Sequence, residues 1–281
     1  MSGERPPQES NGARDFPAGA RDFPAGASDF PAGASDFYVG YLPTPAHDRR
    51  FTRILAVAVA LAAVAIAVLC NAFARPTGSG VWDTGSEVTL EGELVAKPFP
   101  MLRVARGDGT VERVLLVEMG KHGADARVAP FARADGTRVA VQARGYLIAR
   151  DGQRMLELSE DAPIAAGGVM PPATLPERIG TVELEGEIVD SKCWLGVMKP
   201  GDGKAHRDCA TLCIRGGIPP SIVCRAPDRS TRRALVVGQD GAPLSVEVLA
   251  PWIARPVRVR GQADVVDGLA VIRVTALGEP E

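Results

Sequence analysis

Glu87-Val-Thr-Leu-Glu-Gly-Glu-Leu-Val95 returns 94 residues later as Thr181-Val-Glu-Leu-Glu-Gly-Glu-Ile-Val189, identical at six of nine positions. Val88, Leu90, Gly92 and Leu94 alternate with polar residues, which is the period of a half-buried strand. A weaker match joins Val141-Gln-Ala-Arg-Gly-Tyr-Leu-Ile-Ala-Arg-Asp-Gly152 to Val257-Arg-Val-Arg-Gly-Gln-Ala-Asp-Val-Val-Asp-Gly268, keeping its Arg-Gly and Asp-Gly landmarks at an offset of 116. The two offsets differ by 22 residues, so the second copy has gained that net length. The gain begins just after Val189. One scaffold is used twice, and only the second copy carries an insertion.

The first copy shows what the scaffold is. After the strand at 87–95, Leu102 to Arg106 and Val111 to Glu118 read as a hairpin around Gly107-Asp-Gly-Thr110. Residues 122–133 have room for a short helix. Thr137 to Gly145 and Met155 to Ser159 form a second hairpin, turning near Asp151-Gly152. Three strands, a short helix and two strands is the order of the OB-fold, a small Greek-key barrel. In the second copy, Leu249 to Gly261 fits the passage from that helix into the fourth strand. The expected fold class is mainly β: two tandem OB-like barrels after a single N-terminal transmembrane helix and a disordered tail. The expected limits are a tail at 1–48, an anchor at 49–75, a stalk at 76–86, barrels at 87–161 and 180–281, and a Pro/Gly-rich linker at 162–179.

The anchor rests on Ile54 to Phe73, 20 residues without a charge. As a helix this run is about 30 Å long, the thickness of the hydrocarbon core. Arg49, Arg50 and Arg53 precede it and only Arg75 follows closely, so the positive-inside rule puts the N-terminus in the cytoplasm. The barrels then belong on the other side, in a bacterial periplasm, where disulfides are permitted. The tail repeats a seven-residue unit four times over 13–40: ARDFPAG twice, ASDFPAG, then ASDFYVG. Proline and glycine in the unit rule out a coiled coil, and the segment is too polar and simple to fold alone. Tyr38 and Tyr41, just before the arginines, suit a membrane–water interface.

The insertion carries the chemistry. Cys193, His206, Cys209 and Cys213 put three of the five cysteines and one of the three histidines within 21 residues. Lys204 to Arg215 reads as a helix stopped by Gly216-Gly217. His206, Cys209 and Cys213 then fall at i, i+3 and i+7 on one face. With Cys193 they are one imidazole and three thiols, a set suited to tetrahedral Zn or to Cu. Met198 is a possible added thioether, which would favour Cu(I), and haem is a less favoured alternative. The spacing Cys-x12-His-x2-Cys-x3-Cys is not a standard zinc-finger spacing. A disulfide framework over Cys193, Cys209, Cys213 and Cys224 competes with the metal reading, since four external cysteines are an even number. Cys209 and Cys213, i and i+4 on a helix, are poorly placed to bond each other. Lys192, Lys199, Lys204, Arg207 and Arg215 make the loop mildly basic, which would favour thiolates.

An anchor followed by such barrels resembles membrane-anchored periplasmic OB-fold proteins such as the haem chaperone of cytochrome c maturation. The chain lacks that chaperone's haem-attachment histidine motif, so its activity does not carry over. The Cys/His loop is similar to one in uncharacterised bacterial proteins. Nucleic acid is not an expected partner, because net charge is −2 and aromatics are few outside the tail and anchor. No Ser-His-Asp order, phosphate loop or carboxylate pair points to a hydrolase or transferase. The expectation is a membrane accessory protein, part of a membrane complex, whose second barrel binds a metal or supports a metal or haem centre. A disulfide-stapled interaction subunit without chemistry is the alternative. Thiol-disulfide exchange ranks third, for want of a Cys-x-x-Cys motif.

Overall fold

The computed structural model describes residues 48–73, 80–133, 135, 137–196, 198, 200–226 and 230–281. The heptapeptide repeats, Tyr38, Tyr41, residues 74–79 and Lys199 lie outside the described residues. The first of two compact units contains one described element, helix α1 (Asp48–Phe73). Its most apolar 18-residue stretch has a mean hydropathy of 2.7 and buries nothing within the chain, so the helix is long and apolar enough to cross a membrane.

The second unit, Arg75–Glu281, is mainly β. Strands β1 (Val81–Val95), β2 (Met101–Ala105), β3 (Val111–Val117), β4 (Ala140–Arg150) and β5 (Gln153–Leu158) close in the order 1-2-3-5-4-1. Every pairing is antiparallel except β3 with β5. Helix α2 (Asp125–Val128) and a 3-10 turn at Ala129–Phe131 lie between β3 and β4. Strand β1 begins at Val81, so residues 81–86 of the expected stalk are part of the barrel. The linker contributes β6 (Ala165–Ala166), which pairs with β4.

The second barrel repeats this layout. Strands β7 (Glu177–Asp190), β8 (Pro220–Arg225), β9 (Thr231–Val237), β10 (Pro256–Val266) and β11 (Leu269–Gly278) close in the same order, again with third and fifth strands parallel. The registers match residue for residue. Gly92 faces Val141, and Gly186 faces Val257. Leu94 faces Leu102, and Ile188 faces Ile222. Offsets are therefore 94 in the first strand, 120 in the second and third, and 116 in the fourth and fifth. The second copy gains 26 residues between its first two strands and loses four before its fourth.

Paired glycines make each closure possible. A Cβ on Gly92 would sit 2.2 Å from the Arg103 carbonyl oxygen, and one on Gly186 2.4 Å from that of Val223. In the fourth strands, Gly145 and Gly261 would collide with the carbonyl oxygens of Glu157 and Arg273 at 2.1 and 2.3 Å. The Arg-Gly and Leu-Glu-Gly landmarks of the repeat thus mark where neighbouring backbones approach too closely for a side chain.

The barrels dock reciprocally, as in a two-fold dimer contact. One apolar core contains Leu115 and Val117 together with their counterparts Leu235 and Val237, and Met155 with its counterpart Val271 packed beside it. Asp151 and Asp267 are equivalent turn residues, with φ of 50° and 48°. Each turn reaches the other barrel. Asp151 Oδ2 accepts from Thr231 Oγ1 at 3.0 Å. Asp267 accepts from Arg103 Nε at 2.8 Å and Arg113 Nε at 3.0 Å.

Candidate metal-binding site

The added residues form helix α3 (Ser191–Leu195), a 3-10 turn at Lys204–His206, and helix α4 (Arg207–Arg215). Helix α3 starts where strand β7 ends because Asp190 caps it. Its Oδ1 accepts from the Cys193 backbone N–H at 2.8 Å, satisfying one of the amide donors left open at a helix start. Glycine ends α4. The Gly216 N–H returns to the Leu212 carbonyl at 3.0 Å, and Gly217 has φ of +96°.

The insertion is anchored in both barrels: Ala210 and Ile214 of α4 pack in the second barrel's core, and other side chains reach the first. Lys192 is fully buried, and its Nζ donates to the Glu118 and Gly120 carbonyls at 2.8 Å each and to Glu157 Oε1 at 2.6 Å. Glu157 also accepts from Trp82 Nε1 at 3.1 Å. Trp194 is buried under the Arg150 guanidinium, 4.0 Å from its ring centre, and Arg150 Nη1 donates to the Trp194 carbonyl. Lys192, expected to favour thiolates, is therefore committed to a buried ion pair with the other barrel.

Helices α3 and α4 bring three sulfurs together. The Sγ atoms of Cys193, Cys209 and Cys213 lie within 4.8 Å of one another; Cys193 and Cys213 are buried and Cys209 is half-buried. His206 is also buried. Its Nε2 meets Asp190 Oδ2 at 2.9 Å, and the imidazole joins a second group with Asp190 and Cys193. The sequence expectation of one imidazole and three thiols thus resolves into two adjoining groups sharing Cys193. Met198 is exposed; its backbone N–H donates to the Cys193 carbonyl at 3.0 Å.

The disulfide framework expected as an alternative is not what the structure contains. Cys193, Cys209, Cys213 and Cys224 are all free thiols. Cys224 lies on β8 and packs against the second barrel's own core, while the trio belongs to the core shared by both barrels. Burial pushes the Cys224 thiol up to about 11, so it is poor as a thiolate.

Two residues of the site went unseen in the sequence. Asp190 had a local signal, an aspartate three residues before Cys193 at the end of a strand pattern, which is where a helix cap belongs. Lys121 had none. It comes from the β3–β4 connection of the first barrel, and its Nζ donates to Cys209 Sγ at 2.8 Å and Cys213 Sγ at 3.7 Å. The hydrogen bond from the Cys193 thiol, helped by Lys121, holds the Cys213 thiol down to about 7. The same contact, together with burial, pushes Cys193 upward. Its hydrogen bond to Cys209 raises Lys121 in turn.

Clustered sulfur donors of this kind can hold a soft metal ion, which binds thiolates in preference to oxygen. Comparison of the chain with family models, with curated proteins and with solved structures gave no match.

Proposed function

We propose that this chain is a membrane-anchored accessory protein whose second barrel binds Zn or Cu through Cys193, Cys209 and Cys213, with His206 and Asp190 beside them. Helix α1 is the anchor, with the N-terminus cytoplasmic and both barrels periplasmic, following the arginines at 49, 50 and 53. The bound ion serves or supports a metal or haem centre in a membrane complex. The observation carrying the reading is the convergence of three sulfurs from two helices, in a segment that only one of two matched barrels possesses. A barrel that closes without the segment does not need it for its own ladder.

The test is to purify the full chain in detergent and measure free thiols and bound metal on one sample. Reduced thiols with near-stoichiometric metal, lost in Cys209→Ser, support the reading. A metal-free protein that takes up neither ion would sink it. The second reading is a docking element without chemistry. It is favoured by the fact that Cys193 and Cys213 also belong to the core joining the barrels. It expects Cys209→Ser to leave both metal content and stability nearly unchanged.

A further inference from the structure

We infer that Lys121, delivered by the first barrel, is the outer-sphere cation of a three-thiolate site for Cu(I), so that loading the site ties the two barrels together. The inference rests on the metal-binding reading above and names the ion and the partner residue.

Lys121 is held at the sulfurs by backbone contacts. The Gly123 N–H donates to the Gly216 carbonyl at 2.8 Å. A Cβ on Gly216 would lie 1.8 Å from the Lys121 carbonyl oxygen, and one on Gly123 2.5 Å from that of Gly217. The Gly-Gly stop of α4 therefore leaves room for one thing, the first-barrel loop that carries the lysine. An ammonium cannot ligate a metal, but it donates hydrogen bonds to thiolates. It sits beside Cys209 and Cys213.

The donor set favours a three-coordinate ion. Structural Zn sites take four tetrahedral ligands. Here three sulfurs converge, while the imidazole groups with Asp190 and Cys193 and not with all three sulfurs. Thiolate donors select Cu(I), a d10 ion that accepts three sulfurs. Three thiolates around a monovalent ion leave net negative charge in a largely buried setting, which is costly unless a cation stands beside it. Lys121 is that cation. Loading is a ligand exchange: each ligating thiol releases its proton to solvent, a Cu–S bond forms, and copper remains Cu(I).

The test uses the full chain in detergent under argon. Cu(I) is titrated against bicinchoninate, Zn(II) against a chromophoric chelator, and X-ray absorption is recorded on the copper-loaded protein. The expected result is one Cu(I) per chain with sulfur neighbours only. Lys121→Met should weaken Cu(I) by about tenfold or more, the scale of losses at outer-shell partners, and Lys121→Arg should restore most of it. Hydrogen exchange in residues 118–123 should slow on loading. A nitrogen ligand, four-coordinate Zn(II) bound more tightly than Cu(I), or unchanged affinity in a folded Lys121→Met overturns this inference and leaves the metal reading standing. Uptake of neither ion overturns both. The wild-type spectrum decides the coordination even if the variants fail to fold.

Discussion

The two barrels differ chiefly at one point. In the first, five residues (96–100) join the first strand to the second; in the second, residues 191–219 do so. Register, strand order and closing glycines are otherwise the same. The ladder closes without the added segment, so the addition costs the barrel nothing in hydrogen bonds. Its stability must come from elsewhere, and the contacts show where. Lys192, Trp194 and Gly216 all bind backbone or side chains of the first barrel. The second barrel grew the segment and packs Ala210 and Ile214 in its own core, while the first barrel takes the buried polar contacts of Lys192 and Trp194.

The hardest test of that division is Lys192→Met. It strands Glu157 Oε1 and two carbonyls in a buried setting, while Oε2 keeps its Trp82 donor. Removing one partner of a buried ion pair costs about 3–5 kcal/mol. Urea unfolding of the 75–281 unit should show a loss of that size. Adding Glu157→Gln should cost less than the sum of the single changes, because the pair is coupled. Full additivity would mean that Lys192 and Glu157 are not coupled across the two barrels.

A second test breaks the likeness between the copies. Gly92→Ala and Gly186→Ala each push a methyl into a backbone carbonyl at 2.2 and 2.4 Å. Each should destabilise by about 2–4 kcal/mol, and the two losses should agree within about 1 kcal/mol. A large loss in one copy and none in the other, measured by thermal unfolding, would mean that the matched registers do not carry matched energetics.

These glycines also show what could be read in advance. The fold was legible because the repeat preserves the residues that closure demands: alternating apolar positions, Gly92 and Gly186, and the Asp-Gly turns. Strands of the first copy, helix α4 and the place of the insertion all follow from local pattern. The site was legible only in part. Cysteine spacing on one helix face brought Cys209 and Cys213 together, as expected, but could not tell a ligand from a support. His206 shares that helical face in sequence, yet the helix proper begins at Arg207 and the imidazole turns to Asp190. Its removal would leave a buried carboxylate short of a donor, so His206→Ala is damaging with or without a metal. Lys121 lies 88 residues from Cys209. No local pattern records a contact made by the docking of two barrels.

Acid should act on that docking. Burial pushes the Asp267 carboxyl up, but hydrogen bonds from Arg103, Thr174 and Arg113 outweigh it and hold the group below the usual range. Glu93 is lowered too, by Arg138 and Arg103. A carboxylate lowered in the folded state contributes stability that is present above its unfolded value, about 3.9–4.3, and lost as pH falls through the folded value. Stability should therefore decline below about pH 5. Asp267→Asn should flatten that decline while lowering stability at pH 7 by about 1.5–3 kcal/mol, the worth of hydrogen bonds to charged groups. An acid limb unchanged in Asp267→Asn would place the pH sensitivity outside the barrel contact.

The smallest effect belongs to Cys224, and it separates barrel from insertion. By register Cys224 corresponds to Val104: Val104 pairs with Glu112, and Cys224 pairs with Arg232 at the same offset of 120. The first barrel fills this position with an apolar side chain packed in its core, and Cys224 likewise packs against the second barrel's core. A thiol in such a place behaves as a small hydrophobe. Cys224→Val should change stability by less than about 1 kcal/mol, as near volume-conserving swaps do. It should remove one slowly reacting thiol and leave metal content unchanged. Cys193, Cys209 and Cys213 have no counterparts in the first barrel, so no such exchange exists for them. Loss of metal in Cys224→Val would join this cysteine to the site and erase the line between the shared scaffold and its addition.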